Sequence, residues 1–113
     1  MNLQKRRYIL ASRKNKNTIL SFINSFKSKY PKEITDVFYN GYCYYFALML
    51  QARFGGELFF NPSLVHFAVL INGYLFDIRG KVNLYDDKEW YNWEDFQRNN
   101  DVTKVIHSCI LKS

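Results

Sequence analysis

The sequence predicts an α+β domain, in which an antiparallel sheet packs on a buried central helix and an amphipathic helix lies before it. Apolar residues recur at helical spacing over residues 19–30, which is typical of a helix with one buried face. The segment that ends at Gly55-Gly56 is apolar nearly all round, as expected for a helix buried on several sides. Asn72-Gly73 separates two strand-like runs, and this dipeptide favours the two-residue turn of an antiparallel hairpin. Together these features indicate helices packed on one antiparallel sheet.

Length and composition indicate one globular domain. The chain has 113 residues, of which 48% are hydrophobic and 19% aromatic, so it can build one core and is not disordered over most of its length. The longest uncharged run covers residues 37–52, which is shorter than the roughly 20 residues that cross a bilayer, and no signal peptide is recognisable. Two cysteines are too few for a secreted disulfide scaffold. We therefore expect a cytoplasmic protein with reduced thiols and no membrane span.

The net charge of +6 originates at the N-terminus. Residues 1–32 hold nine of the 16 basic residues and none of the ten acidic ones, so the remainder of the chain is mildly acidic. We divide the chain into a basic arm, residues 1–16, and a single α+β domain, residues 17–113. Such an arm can attract an acidic protein or a nucleic acid, or it can simply keep the protein soluble. Its candidate binding residues are Lys5, Arg6, Arg7, Arg13, Lys14 and Lys16.

Two helices are predicted in the first half of the domain. The first begins at Asn17 or Thr18, either of which can cap it, and Pro31 ends it. For the second, Asn40 is the best N-cap and a glycine pair is the stop, which places Cys43 in the first turn. The tyrosines around that turn either line a cleft beside Cys43 or belong to the core; they are Tyr39, Tyr42, Tyr44 and Tyr45.

The second half of the domain is predicted to contain most of the sheet. Strands are expected at residues 57–60, 65–71 and 74–79. A helix capped by Asp86 or Asp87 then runs to Asn99-Asn100 and packs on the sheet through Trp90 and Trp93. Residues 102–111 are rich in β-branched side chains and alternate, so they are predicted to form a last strand with His107 and Cys109 on one side.

The hairpin register brings an imidazole and a carboxylate together. A two-residue turn at Asn72-Gly73 places His66 and Asp77 on one face as diagonal neighbours, where Asp77 can orient the ring and stabilise its protonated form. The start of the buried helix is the natural neighbour, and its dipole together with a protonated His66 would lower the pKa of the Cys43 thiol. Backbone N–H groups there could supply part of an oxyanion hole, with Asn40 or Tyr42 contributing a side chain.

The order of a cysteine at a buried helix start, a histidine on a strand and an aspartate on the adjoining strand resembles the papain-like superfamily. It is most similar to the compact transglutaminase-like and NlpC-type branches. The resemblance is carried by the run from Gly41 to Ala47, the run from Val65 to Val69 and the run from Phe76 to Gly80. It implies a papain-like core, with Cys43 as nucleophile, His66 as general base and acid, and Asp77 as orienting group. Family members cleave or exchange amide and thioester bonds, so a peptide or protein substrate is implied.

Each candidate residue also has a structural interpretation. Cys43 can be a small buried hydrophobe, and His66 can be a core histidine with its hydrogen bonds satisfied. Asp77 can pair with Arg79, two residues on and on the same face, unless Arg79 binds a substrate carboxylate instead. The sequence predicts no cofactor and no metal site. The two cysteines and two histidines offer suitable atoms, but no pair has the short spacing of zinc ligands.

Three functions are therefore carried forward. The first is a small intracellular cysteine hydrolase or acyltransferase that acts on an amide or thioester bond through Cys43, His66 and Asp77. The second is a non-enzymatic binding or inhibitor protein of phage or mobile-element type, which uses the same scaffold and the basic arm to bind a protein or a nucleic acid. The third is direct nucleic-acid binding through residues 5–16, with an affinity that falls steeply as salt rises.

Overall fold

The structure, a computed structural model, describes residues 15–83 and 89–111 and confirms the α+β class. Helices lie at both ends of the described chain and a five-stranded sheet lies between them. The elements are α1 (Lys16–Phe26), α2 (Pro31–Asn40), α3 (Cys43–Phe54), β1 (Glu57–Asn61), β2 (His66–Ile71), β3 (Tyr74–Asp77), β4 (Gly80–Val82), β5 (Tyr91–Asn92), α4 (Trp93–Asn99) and α5 (Thr103–Val105), which continues as a π-helix over Ile106–Leu111.

The sheet is antiparallel throughout, and its strand order is β4-β3-β2-β1-β5. The predicted hairpin register is confirmed, since Ile71 pairs with Tyr74 and Val69 with Phe76. Asn72 and the glycine after it both have positive φ, as a two-residue turn of this kind requires. The central strand of the sheet is β2, and its first residue, His66, is buried.

The helix α1 forms largely as predicted, but Pro31 does not end it. The side chain of Asn15 accepts a hydrogen bond from the backbone N–H of Asn17 at 2.8 Å, and the helix ends at Phe26. The first residue of α1, Lys16, is also the last residue of the predicted basic arm. Pro31 instead opens α2, a helix that the sequence analysis missed. Proline is favoured in the first turn of a helix because its fixed φ suits that position and its missing N–H would have had no helical partner.

The buried central helix is α3. Cys43 is its first residue and Gly55 its C-cap, with a φ of 81°, so the predicted stop is confirmed. The predicted N-cap was wrong: Asn40 is the last residue of α2, and Tyr42 holds the N-cap position without a side-chain hydrogen bond. The helix buries five residues against the sheet and α1, namely Cys43, Phe46, Ala47, Leu50 and Phe54.

An aromatic cluster joins the helices to the inner face of the sheet. The ring of Phe67 on β2 lies 4.8 Å from that of Phe60, 4.8 Å from that of Trp93 and 5.0 Å from that of Tyr44. The other face of the hairpin is also covered, because Ala68, Leu75 and Val82 form a second buried cluster under Trp90 and two partly buried neighbours. Both faces of the hairpin are therefore removed from water at its centre.

The C-terminal part differs most from the prediction. Residues 103–111 are helical where a strand was predicted for residues 102–111, and the last strand of the sheet is instead the short β5. Asp101 lies two residues before Thr103, the first residue of the helical segment. Its side chain accepts hydrogen bonds from the backbone N–H and the hydroxyl of Thr103 at 3.1 and 2.7 Å. The apolar residues also recur at a helical period, which outweighs their β-branched character; they are Val102, Val105, Ile106, Cys109 and Ile110.

The helix before it is shorter than predicted. It begins at Trp93, and its N-cap is Asn92, whose side chain accepts a hydrogen bond from the N–H of Asp95 at 3.2 Å. The predicted caps, Asp86 and Asp87, lie outside the described residues. Within the part of the chain that the structure describes, no helix combines the length and the apolar character needed to cross a membrane.

Candidate functional site

Three element ends meet at one end of the central hairpin. Cys43 begins α3, His66 begins β2 and Asp77 ends β3. All three side chains are buried, with relative exposures of 4%, 1% and 3%. The antiparallel pairing of β2 and β3 brings the start of one strand beside the end of the other, and α3 packs across β2. The topology therefore gathers the three residues that the sequence singled out.

The imidazole and the carboxylate are in direct contact. His66 Nε2 lies 2.7 Å from Asp77 Oδ2, within a buried part of the molecule. Burial alone would raise the pKa of the Asp77 carboxyl, but its hydrogen bonds and ion pairs with His66 and Arg79 hold that pKa below its usual value. Asp77 is therefore an anion against which a protonated His66 is stabilised.

Asp77 also pairs with Arg79, as the structural interpretation of this aspartate predicted. Arg79 Nη2 donates to Oδ2 at 2.7 Å, and the backbone N–H of Arg79 donates to Oδ1 at 2.8 Å. Arg79 Nε lies within 3.2 Å of both carboxylate oxygens. One carboxylate oxygen, Oδ2, is thus shared by the guanidinium and the imidazole. Both predicted contacts of Asp77, with His66 and with Arg79, are therefore present at once, since its two oxygens can accept several hydrogen bonds.

The pKa of His66 is raised to about 9. Burial favours the neutral ring, but the hydrogen bonds and charges of Asp77 and Cys43 favour the protonated ring and prevail. The second ring nitrogen, Nδ1, is buried and has no partner among the described residues at ordinary hydrogen-bond geometry. Because Asp77 occupies Nε2, Nδ1 is the ring nitrogen left for the Cys43 thiol, which contributes to the raised pKa of His66.

The pKa of the Cys43 thiol is also affected by His66. Burial tends to raise its pKa, but the hydrogen bond and the charge of His66, together with backbone hydrogen bonds from Phe67 and Tyr44, lower the pKa below its ordinary value. The pair can therefore exist as thiolate and imidazolium.

A cavity of about 280 Å³ has Cys43 among its lining residues. Its walls come from three places in the chain: the end of α2 at residues 39–41, the turn residues Leu64 and Val65, and the pair Ser108 and Cys109 in the π-helix. Asn40, a predicted oxyanion or substrate residue, lies in this wall. Tyr42 and Arg79, predicted for the same role, are not among its described lining residues.

A larger cavity of about 670 Å³ lies between α3, β1 and α4. Its lining includes Gln51, Glu57 and Glu94 but none of the three clustered residues. We assign the candidate site to the smaller cavity because Cys43 lines it.

Aromatic rings frame the imidazole on two sides. The ring of Tyr39 lies 4.6 Å from that of His66, and the ring of Trp90 lies 6.2 Å away in an edge-on arrangement. The Arg79 guanidinium lies 4.7 Å above the Tyr39 ring, so these side chains also support the ion pair from above. From the sequence, Tyr39 fits either a cleft or the core, and Trp90 is predicted to pack a helix on the sheet. No local pattern marks either as a neighbour of His66, since the contact arises only in the folded chain.

Most of the basic arm lies outside the described residues, namely Lys5, Arg6, Arg7, Arg13 and Lys14. Lys16 is described, and its ammonium lies 5.5 Å from the centre of the Tyr74 ring, while that of Lys81 lies 5.1 Å from the same ring. Among the described residues, no group of three or more histidine, cysteine or acidic side chains is arranged to hold a metal ion.

The chain matches no curated protein and no solved structure. It does match a family, described as Phage YunG-like protein, over residues 22–107. The matched region covers well over half of the 113 residues and includes Cys43, His66 and Asp77. The chain is a member of the Phage YunG-like protein family.

Proposed function

We propose that this protein is a cysteine hydrolase or acyltransferase of papain-like type that acts on an amide or thioester bond. The observation that carries the proposal is the buried hydrogen bond between His66 and Asp77, next to Cys43, whose thiol has a lowered pKa and which lines a cavity. A structural histidine would need only its carboxylate. The additional coupling of ring and thiol is what nucleophilic catalysis requires.

The reaction would proceed in two balanced steps. The Cys43 thiolate adds to the substrate carbonyl carbon, and the carbon–nitrogen bond then breaks as the imidazolium of His66 gives its proton to the leaving amine. The resulting thioester is attacked by water, from which His66 takes a proton, and the carboxylic acid leaves as the thiolate is restored. With an amine in place of water, the second step transfers the acyl group. Asp77 fixes the ring in both steps.

The negative charge that develops on the carbonyl oxygen needs hydrogen-bond donors. Backbone N–H groups at the start of α3 are close to the sulfur, since that of Tyr44 already interacts with it. Asn40 is the better side-chain candidate for this role because it lines the cavity, whereas Tyr42 packs against Phe38 and Tyr45.

Alkylation of Cys43 as a function of pH tests the proposal. Iodoacetamide adducts on each cysteine are quantified by peptide mass mapping between pH 5 and 10 in the wild type and in His66→Gln. We expect the wild-type profile of Cys43 to rise well below the value near 8.5 of a free thiol. At pH 6.5 the rate should drop at least tenfold in His66→Gln, because the thiolate loses its counter-ion.

His107→Gln is the matched control, since His107 is an exposed histidine outside the cluster, and it should leave the profile unchanged. A wild-type Cys43 profile that coincides with that of glutathione would contradict the proposal. Hydrolysis of fluorogenic peptide amides that is lost in Cys43→Ala, with the fold intact by circular dichroism, would support it further.

A second candidate function is that of a non-enzymatic binding or inhibitor protein of phage type. Membership of a phage-type family favours it, as does the pair of ammonium groups, from Lys16 and Lys81, that lie over the Tyr74 ring. An acidic protein or a nucleic acid is the partner whose charge would match. Here Cys43→Ala should retain binding, whereas deletion of residues 1–14 should abolish it. Binding to labelled DNA or RNA that weakens steeply with salt would identify a nucleic-acid partner.

A further inference from the structure

The larger cavity, of about 670 Å³, has two glutamates and no basic residue in its described lining. We propose that this cavity binds an organic cation, a guanidinium or ammonium group carried on a short apolar stem. The two cavities share no described lining residue, so the inference goes beyond the proposed hydrolase function and does not depend on it. The volume is within the range of pockets that bind small ligands, roughly 300–1,000 Å³.

The negative charge of this cavity comes from two distant parts of the chain. Glu57 begins β1 and Glu94 lies in the first turn of α4, and both residues are exposed. Asn92 Nδ2 donates a hydrogen bond to Glu57 Oε2 at 3.0 Å, which holds that carboxylate in place. Among the residues that the structure describes, no lysine or arginine forms an ion pair with either glutamate. A cation that enters the cavity is therefore the counter-ion that the described lining does not supply.

The amide side chains of the lining add acceptors for such a cation. The NH₂ group of Asn92 already donates to Glu57, and that of Gln51 donates to the carbonyl of Gly56 at 3.2 Å. With one hydrogen of each NH₂ group used in this way, the polar lining offers mainly carboxylate and amide oxygens. Guanidinium and ammonium groups have donors and no acceptor, so these oxygens suit them, whereas an anion would need donors.

Apolar side chains line the same cavity beside these oxygens. Trp93 is buried, and Ile106 and Ile110 are partly buried. The methylene groups of an amine or a guanidine gain from leaving water against such a surface, and an aromatic ring attracts a nearby cation. A metal ion would use the carboxylates alone, and the described residues contain no group of three or more metal-binding side chains. An organic cation is the ligand that uses both kinds of surface.

Titration with butylguanidinium tests the proposal, with butylurea as an uncharged probe of nearly the same shape. Binding is followed in nitrogen-15 NMR spectra through the backbone amides of residues 56–58 and 92–97. We expect saturable shifts with butylguanidinium that weaken as salt is added, and roughly tenfold weaker binding of butylurea. Glu57→Gln and Glu94→Gln should each weaken the binding of butylguanidinium roughly two- to fivefold, which is the effect of one exposed ion pair. Neither variant should change the binding of butylurea.

Glu33→Gln is the matched control, since Glu33 is an exposed glutamate on α2 outside the described lining, and it should retain wild-type binding. Equal shifts with the charged and uncharged probes would overturn the inference, as would a titration without saturation or equal effects of all three variants. A capped tripeptide with arginine between two glycines distinguishes the sources of the cation. Binding at least as tight as that of butylguanidinium identifies a polypeptide side chain as the ligand, and weaker binding identifies a free small molecule. None of the three variants should alter the pH profile of Cys43 alkylation.

Discussion

The protonation of His66 is set by opposing effects within a few ångströms. Burial favours the neutral ring, while Asp77 and Cys43 favour the protonated one and raise the pKa to about 9. A group whose pKa is raised on folding stabilises the native state below its unfolded pKa, near 6.5, and this contribution disappears as the pH rises through the folded value. The lowered pKa of Cys43 has the opposite effect on the free energy of unfolding. As the pH rises, the thiol ionises in the folded state before it does in the unfolded state, and this stabilises the fold over part of the same pH range.

Removal of the Cys43 thiol should reveal how much the protonation of His66 contributes to the pH dependence of stability. In Cys43→Ala the free energy of unfolding is expected to fall by about 2 kcal/mol between pH 6.5 and 9.5, since a pKa shift of one unit corresponds to about 1.4 kcal/mol. Urea denaturation at several pH values measures it. The double variant Cys43→Ala/His66→Gln should show a flatter dependence. A Cys43→Ala curve as flat as that of the double variant would mean that His66 is not held protonated.

Much of the site could be predicted at this scale, and the reason is local geometry. The Asn-Gly turn fixes the register, and the register determines that His66 and Asp77 share a face. The dual role of Asp77 was divided between two alternatives, because spacing alone does not show that one carboxylate serves both His66 and Arg79. The rings of Tyr39 and Trp90 could not be placed, since their contacts with His66 depend on the packing of distant segments.

At the scale of elements, glycines decide where α3 gives way to the sheet. Gly56 has a φ of 97°, and a Cβ at this position would collide with the carbonyl oxygen of Leu70 and approach the Cγ1 of Ile71 to 2.8 Å. Gly73 in the hairpin turn has a φ of 81°, but a Cβ there meets nothing within 4 Å of its ideal position. Both positions have a positive φ, but only Gly56 lacks the space for a Cβ.

Gly56→Ala is therefore expected to cost at least about 3 kcal/mol of stability, from the unfavourable φ and the backbone collision together. Gly73→Ala, which pays only for the φ, should cost about 1 kcal/mol. Chemical denaturation of both variants checks the difference. Similar losses would show that conformational preference, and not the close approach of β2, determines the requirement at Gly56.

Elements were predicted best where one strong signal acted alone. The glycine pair after α3 and the Asn-Gly turn each correspond to a boundary in the structure. Residues 102–111 carried two signals, a β-branched composition and a helical recurrence of apolar residues. The helical recurrence prevails because it lets Val102 and Cys109 reach the core, while the Asp101 side chain accepts a hydrogen bond from the backbone N–H of Thr103 at the start of the helix. The helix α2 was missed because Pro31 suits both the end and the beginning of a helix.

On the scale of the whole molecule, stability depends on the aromatic cluster between the sheet and the helices. Phe67 is fully buried, and its ring contacts side chains from α3, β1 and α4. Phe67→Ala should therefore lower the free energy of unfolding by about 3–5 kcal/mol. Tyr91→Ala is a useful control, since Tyr91 also packs on a phenylalanine ring but is 44% exposed, and it should cost about 1 kcal/mol or less.

Thermal unfolding followed by far- and near-ultraviolet circular dichroism measures both variants. Coincident transitions at the two wavelengths are expected, because one cluster joins the N-terminal helices, the sheet and the C-terminal helices. A Phe67→Ala protein in which the helical signal outlasts the aromatic signal would indicate that these parts hold together by other means.

The sharing of one Asp77 oxygen between two cations has a consequence for a turnover. An imidazole that acts as base and then as acid must release its proton once in every cycle, and at that moment its attraction to the carboxylate weakens. Because Arg79 binds the same carboxylate through both its guanidinium and its backbone N–H, the carboxylate stays in place while the ring is neutral. In the proposed reaction the ring would therefore return to a fixed anchor after each proton transfer.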